Sequence, residues 1–126
     1  MRGAVPGLEA RAIRATLAPS ATGENAVPKV AIHVEFRPKP GSHAAFDALI
    51  REHAKLTVAE EPGCERFEVL QPMKQDGTPD ESRIILVEVY TDQAAVKAHT
   101  QNPRMPKVRE AYTPLIEDRI LTMCAL

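Results

Sequence analysis

A chain of 126 residues is long enough for one domain and too short for two with separate cores. Hydrophobic residues at 44% and charged residues at 26% are globular proportions, and 16 basic side chains against 17 acidic ones leave a net charge of -1, with no electrostatic ground for a nucleic-acid or anionic-membrane partner. No apolar run reaches the ~20 residues that span a bilayer, which excludes an integral helical membrane protein.

Cys64 and Cys124 are too few for a disulfide framework or a four-cysteine zinc site, so the expectation is two buried, reduced thiols in a cytoplasm. Aromatic residues amount to 4% with no Trp, and a small domain so short of them is expected to share its core with a second copy of itself.

Residues 1–28 are rich in Ala, Gly and Pro, and Leu8, Ile13 and Leu17 are their only large aliphatics. Pro6 and Pro19 bracket the one helical stretch tightly. Arg2, Arg11 and Arg14 hint at a transit peptide, but Glu9 and the missing apolar block argue against targeting. A flexible extension carrying no chemistry is expected, followed by one domain over 29–126.

From Lys29 the periodicity is clear. Val30, Ile32, Val34 and Phe36 alternate with Ala31, His33, Glu35 and Arg37, which predicts a strand that Pro38, Pro40 and Gly41 end. Ser42 offers an N-cap for a helix over 44–60, whose inward stripe is Phe46, Leu49, Ile50, His53, Leu56 and Thr57. Pro62-Gly63 turns the chain into a second strand over 64–71, with Phe67 and Val69 on one face. A polar loop around Asp76-Gly77 leads to a third strand over 82–91, continuously apolar and therefore central. Asp92 caps a short helix over 93–100 that turns Ala95, Val96 and His99 inward, and Asn102-Pro103 starts another to about Tyr112. A last strand covers 116–126. This order predicts an α+β, ferredoxin-like fold: a four-stranded antiparallel sheet with helices on one face. The residues from Ile84 to Val89 cannot all face the helices, so the opposite face is partly apolar, and a homodimer packed through it is expected.

Two histidines stand where the pattern calls for an aliphatic residue. His53 lies on the inward stripe of the first helix and His99 on that of the second; both helices cover one sheet face, so the imidazoles are expected to converge on one cavity. An imidazole there serves as general base or acid near neutral pH. Glu88 and Tyr90 share a face of the third strand, where a carboxylate can orient an imidazole and a phenol can donate to a substrate oxygen. Arg66 is either a surface pair with Glu68 or a partner for an anionic substrate, and Phe46, Phe67 and Val96 are the apolar contacts expected around a ligand. His33 and Glu35 share a face without a third ligand, so no metal is expected; His43 falls in a loop and is expected to be solvated. No base accompanies Cys64, and no phosphate-cradling loop, nucleophile elbow or dinucleotide fingerprint is present, so no cofactor is expected.

The segment from Ala59 to Val69 (AEEPGCERFEV) resembles the helix-end and second-strand signature of the antibiotic biosynthesis monooxygenase family, and Glu88 to His99 (EVYTDQAAVKAH) resembles its E-x-Y-x-D-x-x-A-x-x-x-H block. The resemblance covers about 29–126. It implies a dimeric α/β barrel of two ferredoxin-like subunits, each with a pocket between helices and sheet. It also implies one of three activities: cofactor-independent oxygenation of quinols and phenols, isomerisation of a phosphorylated autoinducer, or haem degradation. With no Trp, and with Asn102 the only Asn of the domain, haem degradation is set aside. Ala54 and Lys55 stand nearest to where the isomerase branch carries an Asn-His pair. The expected activity is therefore deprotonation of a quinol, phenol or enolisable carbonyl by His53 or His99, with Tyr90 as oxyanion donor and Glu88 as orienting group, followed by direct reaction with O2. A dicarbonyl isomerase and a non-catalytic binder of hydrophobic ligands are the alternatives.

Overall fold

The computed structural model of the protein describes residues 27–126, so the extension expected over 1–28 lies, but for Val27 and Pro28, outside the described residues. Its strands are β1 (Val30–Pro38), β2 (Cys64–Leu70), β3 (Ile84–Tyr90) and β4 (Ile116–Ala125); its helices are α1 (His43–Glu60), α2 (Gln93–Thr100) and α3 (Arg104–Tyr112), followed by a 3-10 turn over Thr113–Leu115. The strands form one antiparallel sheet in the order β2-β3-β1-β4. This is the ferredoxin-like α+β fold that the element order predicts.

The period-two alternation of β1 becomes a physical division of the sheet. Val30, Ile32, Val34 and Phe36 are buried beneath the helices, and each stands opposite a β3 residue on the same face: Tyr90, Glu88, Leu86 and Ile84. The α1 stripe covers them with Phe46, Ile50, His53, Ala54 and Thr57. At one end Phe36, Phe46 and Tyr112 pack ring against ring with centroids 4.8 to 6.1 Å apart.

Local chemistry sets the element ends. Asp92 caps α2 as expected, its carboxylate accepting from the Ala95 amide at 2.8 Å. Ser42 does not cap α1 through its side chain; it sits in a right-handed conformation, and its backbone amide donates to the Lys39 carbonyl across a turn made by Gly41 at φ 82. The Asn102 side chain accepts from the Arg104 amide at 2.8 Å and opens α3.

The other face of the sheet is mixed. Ile85, Val87 and Val89 run down its middle on β3, beside His33, Glu35 and Arg37 of β1, and Glu35 is paired with Arg83 at 2.9 Å. On β4 the strand's own alternation puts Ile120 and Cys124 on this outer face and Arg119, Leu121 and Met123 opposite Phe36, Val34 and Ile32 on the helix side. Few helical residues reach β4, and Leu121, Met123 and Ile120 are all exposed. Cys124 is exposed as well, against the expectation of two buried thiols, because an edge strand has no layer above it; Cys64 is buried.

Gly63 is a point of close approach in the fold. A Cβ there would lie 2.5 Å from the Ala95 Cβ, and its carbonyl accepts from the Thr91 amide at 2.9 Å, so the start of β2 and the first turn of α2 touch through hydrogen alone. Gly63→Ala forces α2 outward and is expected to destabilise the fold by about 1–3 kcal/mol. Urea unfolding reads this directly, and a midpoint equal to wild type would show that the contact relaxes freely.

Candidate functional site

The inward stripe of α1 carries His53, the last turn of α2 carries His99, and beneath them the sheet presents Phe67 of β2 directly opposite Glu88 of β3. The two imidazoles converge. Their centroids are 5.6 Å apart, and Phe67 lies 5.4 Å from His53 and 6.3 Å from His99. Both histidines are about 5% exposed or less. Together with Glu88 they line a cavity of about 160 Å³. Its sheet side is Ile32, Val34, Phe36 and Leu86, and it extends past Met105 and Tyr112 of α3 towards Arg109 and, on β4, Arg119 and Leu121. A wider hollow of about 530 Å³ at the N-terminal end of α1 is lined by His43, which opens the helix half-buried, its Nε2 2.6 Å from the Gln71 side chain.

The two imidazoles have different surroundings. His99 Nδ1 lies 2.8 Å from Glu61 Oε1, and Glu61 Oε2 accepts from Arg104 at 2.9 Å and from the Asn102 amide at 3.3 Å. With donors on its other oxygen, Glu61 is the acceptor for His99, so Nδ1 carries a proton. Arg104 is itself held by Glu60 at 2.6 Å and by Thr57 Oγ1 at 3.0 Å. His53 has no such backing. Its Nδ1 is buried without a hydrogen-bond partner among the described residues, and burial, then the neighbouring His99 and Arg104, lower its pKa to about 4. It is therefore a neutral ring across the physiological range.

Glu88 and Tyr90 are engaged with each other. The Tyr90 hydroxyl donates to Glu88 Oε1 at 2.7 Å. Burial raises the Glu88 carboxyl above the usual carboxylate range, opposed by the Tyr90 hydrogen bond and by the charges of His99 and Arg119. Burial and Glu88 push the Tyr90 phenol up as well. This geometry corrects two expectations. Tyr90 is fully buried, its ring 5.4 Å from His99, with its hydroxyl spent on Glu88 rather than free for a substrate oxygen. The carboxylate that orients an imidazole is Glu61, whereas Glu88 stands on the cavity wall.

Of the expected ligand contacts only Phe67 lines the cavity. Arg66 is exposed and paired with Glu68 at 2.9 Å on the far side of the sheet, because a bulge after Cys64 sets the alternation of β2. Phe46 is consumed by the aromatic cluster, and Val96 is core. Cys64 donates to the Arg66 carbonyl at 3.3 Å, and burial pushes its thiol up to about 11, which suits no nucleophile. Among the described residues no group of three His, Cys, Asp or Glu side chains has metal-binding geometry.

The family model for antibiotic biosynthesis monooxygenases matches residues 29–111. The chain belongs to that family. Solved structures similar to it include the Rv0793 protein of Mycobacterium tuberculosis, at 24% identity and TM-score 0.66 over 78% of this chain and 94% of that one. Proposed antibiotic biosynthesis monooxygenases are similar too: one from Caulobacter crescentus CB15 at 18% identity and TM-score 0.70, over 79% of this chain and 91% of that one, and one from Nitrosomonas europaea at 22% and 0.69, with the same coverage. At these identities the likeness concerns the fold. No curated protein matches the chain. In this member of the antibiotic biosynthesis monooxygenase family the matched region holds His53, Glu61, Glu88, His99, Arg104 and Arg109, while Arg119 lies beyond it.

The neutral His53 has a consequence for stability. An unfolded chain protonates this histidine near 6.5, and the folded one resists until about 4. Between these values the unfolded state binds more protons, so stability falls as pH drops through the window, by up to about 3 kcal/mol. The raised Glu88 carboxyl acts in the opposite sense, so a paired comparison isolates the effect. His53→Gln is expected to lose less stability than wild type between pH 7 and pH 4.5 in urea titrations. Equal losses would assign His53 an ordinary pKa.

Proposed function

We propose that this protein is a cofactor-independent monooxygenase acting on a small quinol, phenol or enolisable carbonyl, with His99 as the base. The observation that carries the reading is the Glu61–His99 hydrogen bond at the wall of a mainly apolar cavity. A carboxylate on Nδ1 stabilises the imidazolium that forms when Nε2 takes a proton from a bound hydroxyl. His53, neutral at working pH, is a poorer base and acts as a hydrogen-bonding partner for the substrate oxygen. Phe67 and the aliphatic sheet residues hold the ring and keep water from the anion.

Deprotonation leaves an electron-rich phenolate that reduces O2 itself, the part a flavin would otherwise play. For a hydroquinone the balanced reaction is hydroquinone plus O2 to hydroxyquinone plus water: one oxygen atom replaces a ring hydrogen, the other leaves as water, and all four electrons come from the ring. Glu88, held towards its protonated form by burial, lies on the wall where a carboxyl can donate to the product oxygen. A second reading rests on the two imidazoles at 5.6 Å, a spacing at which one ring can take a proton from a substrate carbon and the other return it to a neighbouring atom. That is isomerisation of an enolisable dicarbonyl without O2.

The working unit in this proposal is a homodimer, formed by burying Ile85, Val87 and Val89 with the exposed Ile120 of β4 against the same face of a second copy. No helix of the described residues is long and apolar enough to cross a membrane, and a reducing cytoplasm, where Cys64 and Cys124 stay thiols, is the proposed location.

Oxygen uptake with a panel of hydroquinones and dihydroxynaphthalenes is expected to exceed autoxidation. His99→Ala should lower turnover by roughly 10²- to 10⁴-fold, and Glu61→Gln by less. Turnover unchanged by His99→Ala removes it as the base, and conversion of a dicarbonyl with no oxygen consumed decides for the isomerase. Light scattering is expected to give twice the chain mass, and a stable monomer at low micromolar concentration would overturn the dimer.

A further inference from the structure

The described residues include seven arginines, and five of them are ion-paired: Arg37 with Asp118, Arg51 with Asp47, Arg66 with Glu68, Arg83 with Glu35, and Arg104 with Glu60 and Glu61. The remaining two, Arg109 and Arg119, have no ion pair among the described residues, and both line the histidine cavity. They reach it from different elements. Arg109 follows Met105 by one turn on the inward side of α3, and Arg119 stands on the helix-facing row of β4, opposite Phe36. Both are exposed, so they form the rim where the cavity leaves the cover of the helices.

Two exposed arginines that line one opening favour an anion there. The lining carries one carboxyl, Glu88, and that group is buried on the sheet and bonded by Tyr90. A second observation concerns the same space: His53, which lines the cavity and is 4% exposed, has a side chain that makes no hydrogen bond among the described residues. A polar ligand atom inside can bond the imidazole, while a negative charge outside satisfies the rim.

We propose that the substrate of this site is an anionic aromatic, a single phenol or quinol ring bearing a carboxylate or a similar anionic substituent that Arg109 and Arg119 grip together. This rests on the reading of the cavity as the substrate site and specifies the substrate's charge. The volume of about 160 Å³ fits one ring, since a cavity of roughly 150 Å³ holds a benzene. The ring lies against Phe67 with its hydroxyl at the imidazoles, and the substituent points outward to the arginines. Planar guanidinium groups suit a carboxylate's two oxygens, and at the rim they raise affinity without placing a charge in the apolar interior.

The probes are 2,5-dihydroxybenzoate and hydroquinone, which share the ring and differ by the carboxylate. Isothermal titration under nitrogen is expected to show the carboxylate bound at least tenfold more tightly at low ionic strength, a preference that shrinks as salt is added. Arg109→Gln and Arg119→Gln should each cut the preference several-fold and the double variant should remove it. Arg51→Gln, which changes net charge equally but removes an exposed arginine that pairs with Asp47 on α1 and does not line the cavity, should keep it. Equal affinity for the two probes in wild type, or a preference that survives in the double variant, overturns the anionic substrate and leaves the proposed oxygenase standing. Failure of both probes to bind, with no oxygen uptake on any quinol, removes the cavity as a substrate site and the inference with it.

Discussion

The contact between Gly63 and Ala95 sets the geometry on which the site depends. With no Cβ on Gly63, α2 docks directly on the turn that ends α1, and the Thr91–Gly63 backbone bond holds the chain there as it leaves β3. Glu61 stands two residues before that glycine and His99 four residues after that alanine, one turn of helix along. The docking therefore delivers a carboxylate from the end of one helix to an imidazole at the end of the next. A methyl group of separation at the turn would be felt at the Glu61–His99 bond, because both partners are fixed to the elements that touch. The motif that carries the family resemblance is in this sense a packing motif first, and the chemistry follows from it.

Having brought two imidazoles together, the fold treats them unequally. His99 has a carboxylate behind it, and that carboxylate is in turn fixed by Arg104 and Asn102, so ring orientation and tautomer are determined together. His53 is left against Phe67 with an unpartnered nitrogen and a pKa near 4. Leaving a buried nitrogen unsatisfied costs about 1–3 kcal/mol, a cost that a native core avoids unless the position serves something else. The pair thus divides into an imidazole backed by a carboxylate and an unsupported neutral ring.

Much of this was legible in the sequence. The alternation in β1, the apolar run of β3 and the Asp92 cap are each dictated by residues close in the chain, and the order of elements follows from them. His53 and His99 could be placed on one cavity because each interrupts an apolar stripe and both stripes must meet the same sheet. Partnerships were not legible. Glu61 lies 38 residues from His99 and Arg104 lies 43 from Glu61, and no periodicity links them. Tyr90 and Glu88 were correctly put on one face, but whether a phenol serves its neighbour or a ligand depends on depth, and Tyr90 proved to be sealed. Phe67 and Arg66 were separable, because Phe67 and Val69 alternate with Arg66 and Glu68; the bulge after Cys64, which lets Cys64 and Phe67 both turn inward, leaves no mark in the residue types. Arg109 and Arg119 carried no signal at all, since an unpaired cation is recognisable only once the other five are seen paired.

Strand β4 ties the remaining observations together. It is an edge strand, its helix side is thinly covered, and it exposes apolar residues in both directions. Period-two alternation lets one strand meet two requirements without conflict. Ile120 and Cys124 face outward with Ile85 and Val89, where a second subunit is proposed to pack, while Arg119 and Leu121 face inward to the cavity, where a ligand is proposed to sit. A change on one row leaves the other's side chains where they were, so assembly and substrate recognition can vary separately along the same ten residues. A slip of one residue in its pairing with β1 would exchange the rows, placing Ile120 in the cavity and Arg119 in the proposed interface. The register of β4 on β1 is therefore as much a determinant of the site as the histidines themselves.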